Sequence, residues 1–251
     1  MAKIKEKLVI VSYHNTTPFM AGLNDEKYQD LFDIVLATPS NCARLYQEGA
    51  ADLALVPVGA LPDLQAYEVI TDYCIGSDGK VYTVAMFSNQ PIEQCSHIYL
   101  DMDSLTSVKL SRILLEEHLH LDLTEISGIP QGKKVEENAA YLMIGDKVFE
   151  NEADFIYKYD LGELWKEMTG LPFAFAVWIR RIGTNEHVEP VLNEIFKQGL
   201  ALCQNDADTF AWEKMTLKEY LTNYISFDFN AEKRKAKELF LSKLAAMELI
   251  S

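Results

Sequence analysis

Short apolar runs alternate with amphipathic stretches through the first two thirds of the chain. Three runs, at residues 8–12, 33–37 and 53–58, consist almost entirely of aliphatic side chains, which is typical of strands buried on both faces of a parallel sheet. Between the second and third runs, residues 40–48 have helical spacing, with Ser40 as a candidate N-cap and Gly49 as a candidate C-cap. This order predicts a βαβ unit.

Two further strands follow this βαβ unit, and the alternation of strands and helices then begins a second time. We predict strands at 69–75 and 81–87, followed by a second unit that begins with a strand at 97–101 and a Ser/Thr-rich turn at 102–107. The remaining predicted elements of the middle region are a helix at 108–119, strands at 123–126, 140–144, 155–157 and 173–179, and a helix at 161–168. After Arg181 the pattern becomes helical, at about 188–204, 217–224 and 231–250.

Two similar βα units predict an α/β protein of two lobes, with mixed sheets and an α-helical C-terminal segment. The chain is expected to pass from one lobe to the other near residues 88–92 and 180–186. Residues 1–88 and 186–251 then form the first lobe, and residues 89–185 form the second. A substrate cleft would lie between the lobes. Since ligand sites in parallel sheets occur at the carboxyl ends of the strands, we expect the functional side chains directly after strands.

Composition and charge restrict the partners. The chain is 49% apolar and 24% charged, which is typical of a globular protein. Its net charge of −15 argues against a nucleic-acid partner, and a small anion would need a local cradle of hydroxyl and N–H groups. No apolar stretch approaches the ~20 residues of a membrane span, and the N-terminal residues lack the features of a signal peptide, so we predict a cytoplasmic protein that does not bind membranes.

Several kinds of site are not supported by the sequence. The four cysteines, Cys42, Cys74, Cys95 and Cys203, are far apart and lack metal-ligand spacing, which favours buried or incidental thiols over a zinc site or a disulfide framework. The chain also lacks a P-loop, a dinucleotide-binding glycine motif and a nucleophile elbow. Nucleotide chemistry and covalent hydrolysis therefore lose their best support.

Polar residues follow two predicted strands at places suited to binding. Asn15 comes directly after the first strand, and its neutral amide can both donate and accept hydrogen bonds; a helix N-cap formed by Asn15 or Thr16 is the alternative. Ser104, Thr106 and Ser107 lead into a helix, where free N–H groups and hydroxyls can hold an anion without Lys or Arg. Capping explains these residues as well, and the two roles are compatible.

Weaker candidates occupy similar positions. Ser40 is a hydroxyl residue that follows the second strand and leads into a helix, as Ser104, Thr106 and Ser107 do after a later strand. Gly145 and Asp146 end another strand, where glycine would allow close backbone approach and the carboxylate could reach a cleft, although a plain turn explains them equally well. Among the histidines, His14 alone lies in a candidate site segment.

Taken together, these segments resemble the chorismate dehydratase family of the futalosine route to menaquinone. The matching stretches are Val-Ser-Tyr-His-Asn-Thr-Thr-Pro-Phe at 11–19, Asp-Leu-Ala-Leu-Val-Pro-Val at 52–58, Gly-Lys-Val-Tyr-Thr-Val at 79–84, Asp-Met-Asp-Ser-Leu-Thr-Ser at 101–107, Leu-Met-Ile-Gly-Asp at 142–146 and Asp-Leu-Gly-Glu-Leu-Trp-Lys-Glu-Met-Thr-Gly-Leu-Pro-Phe-Ala-Phe-Ala-Val-Trp at 160–178. Their common order over most of residues 8–180 makes the resemblance specific.

The resemblance implies the two-lobed fold of type II periplasmic binding proteins, without their export signal. It also implies a hydro-lyase that converts chorismate, a dianion, to 3-[(1-carboxyvinyl)oxy]benzoate with neither metal nor organic cofactor. Asn15 and Thr83 are then the expected catalytic residues, with Asn15 near the reacting hydroxyl. The expected substrate-binding residues are Ser40, Ser104, Thr106, Ser107, Gly145 and Asp146. Because these motifs contain no strong base, the substrate's own enolpyruvyl carboxylate is expected to take the proton.

Two residues depart from the family pattern. His14 stands where an aliphatic residue is expected, and Thr83 where serine is expected. His14 could point into its lobe and be inert, or it could bring a titratable group beside Asn15. One alternative function is the neighbouring enzyme of the same pathway and fold, which forms 1,4-dihydroxy-6-naphthoate; another is a non-catalytic small-anion sensor. The sequence leaves the oligomeric state open, a homodimer included.

Overall fold

The computed structural model describes residues 5–130, 135–184, 186–206, 212 and 214–249. The strands in these ranges are β1 Glu6–Val11, β2 Phe32–Ala37, β3 Leu53–Pro57, β4 Tyr67–Ser77, β5 Val84–Ser88, β6 His97–Leu100, β7 Thr124–Ser127, β8 Ala139–Ile144, β9 Tyr157–Asp160, β10 Phe173–Arg181 and β11 Ser226–Asp228. The α-helices are α1 Thr17–Leu23, α2 Pro39–Gln47, α3 Leu105–Ile113, α4 Lys147–Asn151, α5 Leu161–Thr169, α6 Val188–Asp206, α7 Leu217–Asn223 and α8 Ala231–Glu248.

The first sheet is mixed, with the strand order β11-β4-β10-β3-β1-β2. Its strands β2, β1 and β3 are parallel, as the βαβ pattern predicts, whereas β10 runs antiparallel to both β3 and β4. Strands β1 and β3 lie in the middle of the sheet, which explains why their residues 8–10 and 53–56 are fully buried. Helices α1 and α6 pack on this sheet through aromatic rings, because Phe19 of α1 contacts both Trp178 of β10 and Phe196 of α6.

The second sheet has the order β7-β6-β8-β5-β9. Strands β6, β7 and β8 are parallel, and β5 runs antiparallel to β8 and β9. Helices α3 and α5 pack against this sheet. The N-terminal end of α3 also contacts residues 58–63 of the first lobe, so this helix reaches across the boundary between the lobes.

The fold class predicted from the sequence is confirmed: both sheets are mixed, and the C-terminal segment is mainly helical. The sheets divide the chain differently from the predicted boundaries, however. β5 belongs to the second sheet and β10 to the first, so the chain crosses between them at residues 78–83 and 170–172. The reason is that the sequence of a fully buried apolar strand does not indicate which sheet the strand will join.

The C-terminal segment touches both lobes. Helix α8 packs on β10 of the first sheet and also on α3. The Trp212 ring contacts His14, which follows β1, and stacks on Phe149 of α4, with ring centroids 5.2 and 3.7 Å apart, respectively. Trp212 therefore lies over the junction of the two lobes. None of the helices in the described part of the chain combines the length and the apolar character that a membrane span requires.

Candidate functional site

A narrow cavity of about 50 Å³ lies between the two sheets. Five residues predicted from the sequence line it: Asn15, Thr83, Ser104, Ser107 and Gly145. Four of them follow strands, Asn15 after β1, Ser104 and Ser107 after β6, and Gly145 after β8, whereas Thr83 precedes β5. The structure thus brings together side chains from both lobes.

A short 3-10 turn after β1 holds Asn15. The hydroxyl of Thr16 lies 2.8 Å from the carbonyl oxygen of Val11 and 2.7 Å from that of Tyr13, which fixes this turn. The N-cap of α1 is Thr16, and no side-chain hydrogen bond caps the helix in the described structure. The capping alternative for Asn15 is therefore wrong. Its Oδ1 is buried and has no hydrogen-bond partner among the described residues.

Ser104 and Ser107 form the start of α3. The Ser104 hydroxyl accepts a hydrogen bond from the Ser107 backbone N–H at 3.2 Å, which makes Ser104 the N-cap, and the two hydroxyl oxygens are 2.8 Å apart. Both residues also line the cavity. Capping and exposure to the cavity therefore coincide here, and the positive end of the helix dipole faces the same region.

The hydroxyl of Thr106 has a different role from the predicted one. It donates to the carbonyl oxygen of Phe175 at 2.9 Å and accepts from the N–H of Gly59 at 2.9 Å. A hydroxyl has one hydrogen, so Thr106 has none left to donate to an anion. The Thr106 side chain therefore joins α3 to the first lobe, and its hydroxyl hydrogen is already used there.

Ser40 is not the helix N-cap that the sequence predicted. The N-cap of α2 is Thr38, and Ser40 is the second residue of the helix. The backbone N–H of Ser40 donates to the carbonyl oxygen of Asp103 in the second lobe, at 3.0 Å, and Pro39 rather than Ser40 is among the residues that line the cavity. Ser40 thus connects the two lobes through its backbone.

Gly145 allows Tyr13 to approach the cavity. Its φ is +62°, and a Cβ atom at this position would lie 2.9 Å from the Tyr13 ring. Within the described residues, the Tyr13 hydroxyl is a second buried polar atom that lacks a hydrogen-bond partner. Burial, together with the carboxylates of Asp103, Asp101 and Asp146, raises the pKa of Tyr13, so the hydroxyl stays protonated and can donate.

Asp146 forms a pair with His14 across the lobe boundary. The Oδ2 atom of Asp146 lies 2.8 Å from Nδ1 of His14, and neither side chain is among those lining the cavity. His14 therefore points away from its own lobe, toward Asp146 at the end of β8. The residue that departs from the family pattern instead links the end of β1 to the end of β8.

Tyr220, which comes from α7, was not predicted from the sequence. This residue is only 1% exposed, and its hydroxyl oxygen lies 2.6 Å from Oγ1 of Thr83. Burial raises the pKa of Tyr220, and the hydrogen bond with Thr83 offsets only part of this rise. The sequence showed only a helical pattern at 217–224 and gave no signal that this helix reaches a site more than a hundred residues away.

The chemistry of this cavity is that of neutral hydrogen-bonding groups in apolar surroundings. Of the described side chains that line it, none carries a charge at neutral pH. The nearby Lys147 is held by Asp101 and Asp103, with Nζ to oxygen distances of 2.9 and 2.6 Å. The described residues also contain no cluster of His, Cys, Asp and Glu suited to a metal ion. An anion here would be bound by hydroxyl and N–H donors.

Comparisons with known proteins agree with this architecture. Residues 7–246 match the model of a family described as menaquinone biosynthesis. A chorismate dehydratase from Thermus thermophilus is 26% identical over 246 residues, covering 84% of this chain and 85% of that protein. The crystal structure of protein AF1704 from Archaeoglobus fulgidus has a TM-score of 0.77 at 14% identity, with 98% of both chains covered.

Two further solved structures define the fold. The Candida albicans protein CA3427, described as having the generic periplasmic binding protein fold, has a TM-score of 0.63 at 12% identity, over 96% of this chain and 91% of that one. The aliphatic sulphonate binding protein SsuA of Escherichia coli has a TM-score of 0.64 at 12% identity, over 98% and 88%. The protein therefore has a periplasmic-binding-protein-like fold and belongs to the menaquinone biosynthesis family.

Proposed function

We propose that the protein is a chorismate dehydratase, a carbon–oxygen lyase that forms 3-[(1-carboxyvinyl)oxy]benzoate and water. Its family membership and its similarity to the Thermus thermophilus chorismate dehydratase support this assignment. The observation that carries it is the pair of unpartnered buried polar atoms, Asn15 Oδ1 and Tyr13 Oη, at one cavity in the described structure. Buried polar atoms are nearly always paired, so these two point to a polar ligand.

The cavity fits the recognition of an anionic ring compound. One substrate carboxylate would meet the Ser104 and Ser107 hydroxyls at the start of α3, where the helix dipole favours negative charge. The Tyr13 hydroxyl supplies a further protonated donor. Apolar walls exclude water and strengthen these hydrogen bonds.

The reaction needs orientation more than it needs a strong base. Dehydration removes the proton at C3 and the hydroxyl group at C4 as water, and the ring becomes aromatic, which supplies the driving force. Asn15 Oδ1 would accept a hydrogen bond from the C4 hydroxyl and hold it in one orientation. No lining side chain in the described cavity is a strong base. The enolpyruvyl carboxylate of the substrate itself would take the C3 proton and give it to the hydroxide that departs from C4, which leaves as water.

Substrate entry would require the lobes to move apart. The cavity of about 50 Å³ is far smaller than the ~300 Å³ at the lower end of ordinary ligand pockets. The contacts between Ser40 and Asp103 and between His14 and Asp146 are single interactions that can open and reform, whereas the two hydrogen bonds of Thr106 keep the start of α3 on the first lobe. The described conformation therefore corresponds to closed lobes.

The test is to incubate the purified protein with chorismate alone and to follow loss of the diene and appearance of the benzoate product. The Asn15→Ala variant should bind chorismate but dehydrate it at least ~100-fold more slowly. A folded Asn15→Ala protein with the full rate would contradict the role of Asn15. Tight binding by the unmodified protein without any conversion would instead support a non-catalytic anion-binding protein.

A further inference from the structure

His14 and Asp146 lie one residue beyond the wall of the cavity, on opposite lobes. Their neighbours Tyr13 and Gly145 line the cavity and pack against each other, since a Cβ atom on Gly145 would lie 2.9 Å from the Tyr13 ring. The next residue of each segment makes the hydrogen bond between His14 Nδ1 and Asp146 Oδ2, at 2.8 Å. The two lobes therefore meet twice in succession at this edge, first at the cavity wall and then at the hydrogen bond outside it.

This hydrogen bond lies between the cavity and the solvent. The side chains of His14 and Asp146 are 35% and 26% exposed, respectively. The polar atoms at the cavity, Tyr13 Oη and Asn15 Oδ1, are buried. Solvent therefore reaches the hydrogen bond, whereas the polar atoms behind it are covered. Because water competes for the two partners, such a bond contributes little to stability and breaks and reforms at small cost.

The bond requires a hydrogen-bond donor at position 14. An ionised carboxylate only accepts hydrogen bonds, so Nδ1 of His14 carries the hydrogen that Asp146 Oδ2 accepts. An aliphatic side chain, which the family resemblance leads us to expect at this position, has no donor. The Trp212 ring meets the His14 ring edge to face and stacks on Phe149 of α4, with centroids 5.2 and 3.7 Å apart, respectively. Trp212 thus contacts both sides of the lobe boundary where the bond forms.

Contacts elsewhere between the lobes are of a different kind. Thr106 is only 1% exposed, and its hydroxyl holds the start of α3 on backbone atoms of the first lobe. The bond between the Ser40 N–H and the Asp103 carbonyl oxygen uses backbone atoms only. Of these three contacts, the His14–Asp146 bond alone is made by two side chains and is also reached by water. A substitution there changes lobe separation without altering the backbone or the buried start of α3.

We propose that the hydrogen bond between His14 and Asp146 is a closing contact, which holds the lobes together over the cavity and breaks when a ligand enters or leaves. The proposal rests on the function proposed above in one respect, that the cavity is the place where the substrate binds. It gives the departure from the family pattern at position 14 a role in lobe closure and not in the chemical step. Substrate entry and product release then share one event, the separation of His14 from Asp146.

The test measures how often the cavity opens in the protein without any ligand. Val84 lines the cavity and is 9% exposed, so the thiol of a Val84→Cys variant should react with a maleimide only when the lobes separate. The background is Cys203→Ser, which removes a partly exposed native thiol. We expect His14→Leu to increase the labelling rate at position 84 about three- to tenfold. His14→Asn should stay close to the unmodified rate, because its Nδ2 can donate to Asp146.

Two controls separate lobe opening from other causes of labelling. His97→Leu removes a similar bond, between Nε2 and the Glu136 carboxylate at 3.1 Å, but both partners belong to the second lobe, so the labelling rate should stay within about twofold. Cys42 is fully buried in the first lobe, and its labelling reports global unfolding, which should be the same in all variants. Equal labelling at position 84 with and without His14→Leu would overturn the proposal, and so would an equal rise in His97→Leu or a parallel rise at Cys42.

Asp146→Ala tests the partner of His14. If the two side chains act through one bond, Asp146→Ala should increase labelling by about the same factor as His14→Leu, and the double variant should label no faster than either single variant. Additive effects of the two substitutions would show that the side chains act separately and would contradict a shared closing contact.

The kinetic prediction concerns KM. With chorismate, His14→Leu should raise KM about three- to tenfold and leave kcat no lower than about half, because the lost bond stabilises the closed protein equally with the substrate and with the transition state bound. A fall in kcat at unchanged KM would place His14 in the chemical step and contradict the closing role.

The labelling measurement needs no substrate, so it distinguishes the two proposals. If the unmodified protein fails to convert chorismate while His14→Leu still accelerates labelling, the dehydratase function fails and the closing contact stands. If His14→Leu leaves labelling unchanged, the closing contact is wrong whatever the reaction is.

Discussion

Gly145 is the residue whose side chain, or lack of one, most directly shapes the cavity. Its φ of +62° favours glycine, and the Tyr13 ring occupies the space that a Cβ would need. Gly170, at the end of α5, has a similar φ of +71° but nothing within 4 Å of a Cβ position. The two glycines therefore separate the cost of the backbone conformation from the cost of the contact.

We predict that Gly170→Ala lowers the free energy of unfolding by about 1 kcal/mol, as a left-handed alanine should. Gly145→Ala should cost more, about 2–3 kcal/mol, because the Tyr13 ring must also move. Urea unfolding of both variants measures the difference. Equal losses would show that Tyr13 shifts at no cost, and weaker chorismate binding by Gly145→Ala alone would confirm that the displaced ring belongs to the site.

Single residues also show what the sequence could and could not predict about the site. Asn15, Ser104, Ser107 and Gly145 were predicted because residues just after strands converge at one edge of a sheet. Thr106 met the same criterion, yet its hydroxyl is used inside the protein. Its role depends on how closely α3 approaches the first lobe, which no local pattern encodes.

Among the larger elements, the connection around Glu152 joins three parts of the chain. The Glu152 carboxylate accepts from the Tyr82 hydroxyl at 2.8 Å and from Lys158 of β9 at 2.9 Å, and it pairs with Lys214, just before α7, at 3.2 Å. Tyr82 lies in the crossing to the second sheet and has a left-handed φ of +69°. Burial would raise the pKa of Glu152, but the hydrogen bonds from Lys158 and Tyr82 outweigh it and the pKa is lowered.

A lowered pKa in the folded state makes stability depend on pH in one direction. The contribution of Glu152 is fully present above its ordinary pKa and is lost as the pH falls through the lowered folded value. Denaturant unfolding between about pH 6 and pH 3 should therefore show a shallower pH dependence for Glu152→Gln than for the unmodified protein. The control is Glu150→Gln, an exposed neighbour, which should keep the original slope. An unchanged slope in Glu152→Gln would contradict this assignment.

Lys233 fastens α8 to β11 and is itself a buried charged residue. Its Nζ donates to the carbonyl oxygens of Ser226 and Asp228 at 2.8 and 2.7 Å and to the Ser226 hydroxyl at 2.6 Å, with the side chain 1% exposed. Removing the ammonium group leaves these acceptors buried without a donor.

We predict that Lys233→Met lowers the free energy of unfolding by about 2–3 kcal/mol. Lys235→Met, on the exposed side of the same helix, should change it by less than about 0.5 kcal/mol. Denaturant titrations of the two variants, side by side, provide the measurement. Equal stability of the two proteins would mean that the Ser226 and Asp228 carbonyls find water instead.

How well a strand or helix could be predicted from the sequence depended on its length. Apolar runs of five or six residues gave β1, β2, β3 and β8 nearly at their observed limits. β11 has three residues and α4 has five, which is too short to show a period. Neither the sheet that β5 joins nor the contact of α7 with Thr83 is local information, because both depend on the pairing of distant segments.

At the scale of the whole molecule, the electrostatic field of the protein and the proposed cavity have opposite effects on a dianionic substrate. The net charge of −15 repels a dianion at long range, whereas the cavity that we propose for it contains only neutral groups within the described residues. Contact-range hydrogen bonds to hydroxyls are not screened by salt to the same degree as the field of the exposed carboxylates. Approach of the substrate and its final binding should therefore respond differently to ionic strength.

We accordingly predict that kcat/KM for chorismate rises roughly twofold to fivefold as ionic strength increases from about 0.01 M to 0.15 M, because the Debye length falls from about 30 Å to about 8 Å and the repulsion is screened. The value of kcat at saturation should change little, since the bound substrate is held by contacts that salt does not reach. Steady-state kinetics measures both kcat/KM and kcat. Using two different salts shows whether one particular anion competes with the substrate. A kcat/KM that falls steadily in both salts would mean that a positive local potential draws the substrate in, and the neutral cavity would then be the wrong site for its carboxylates.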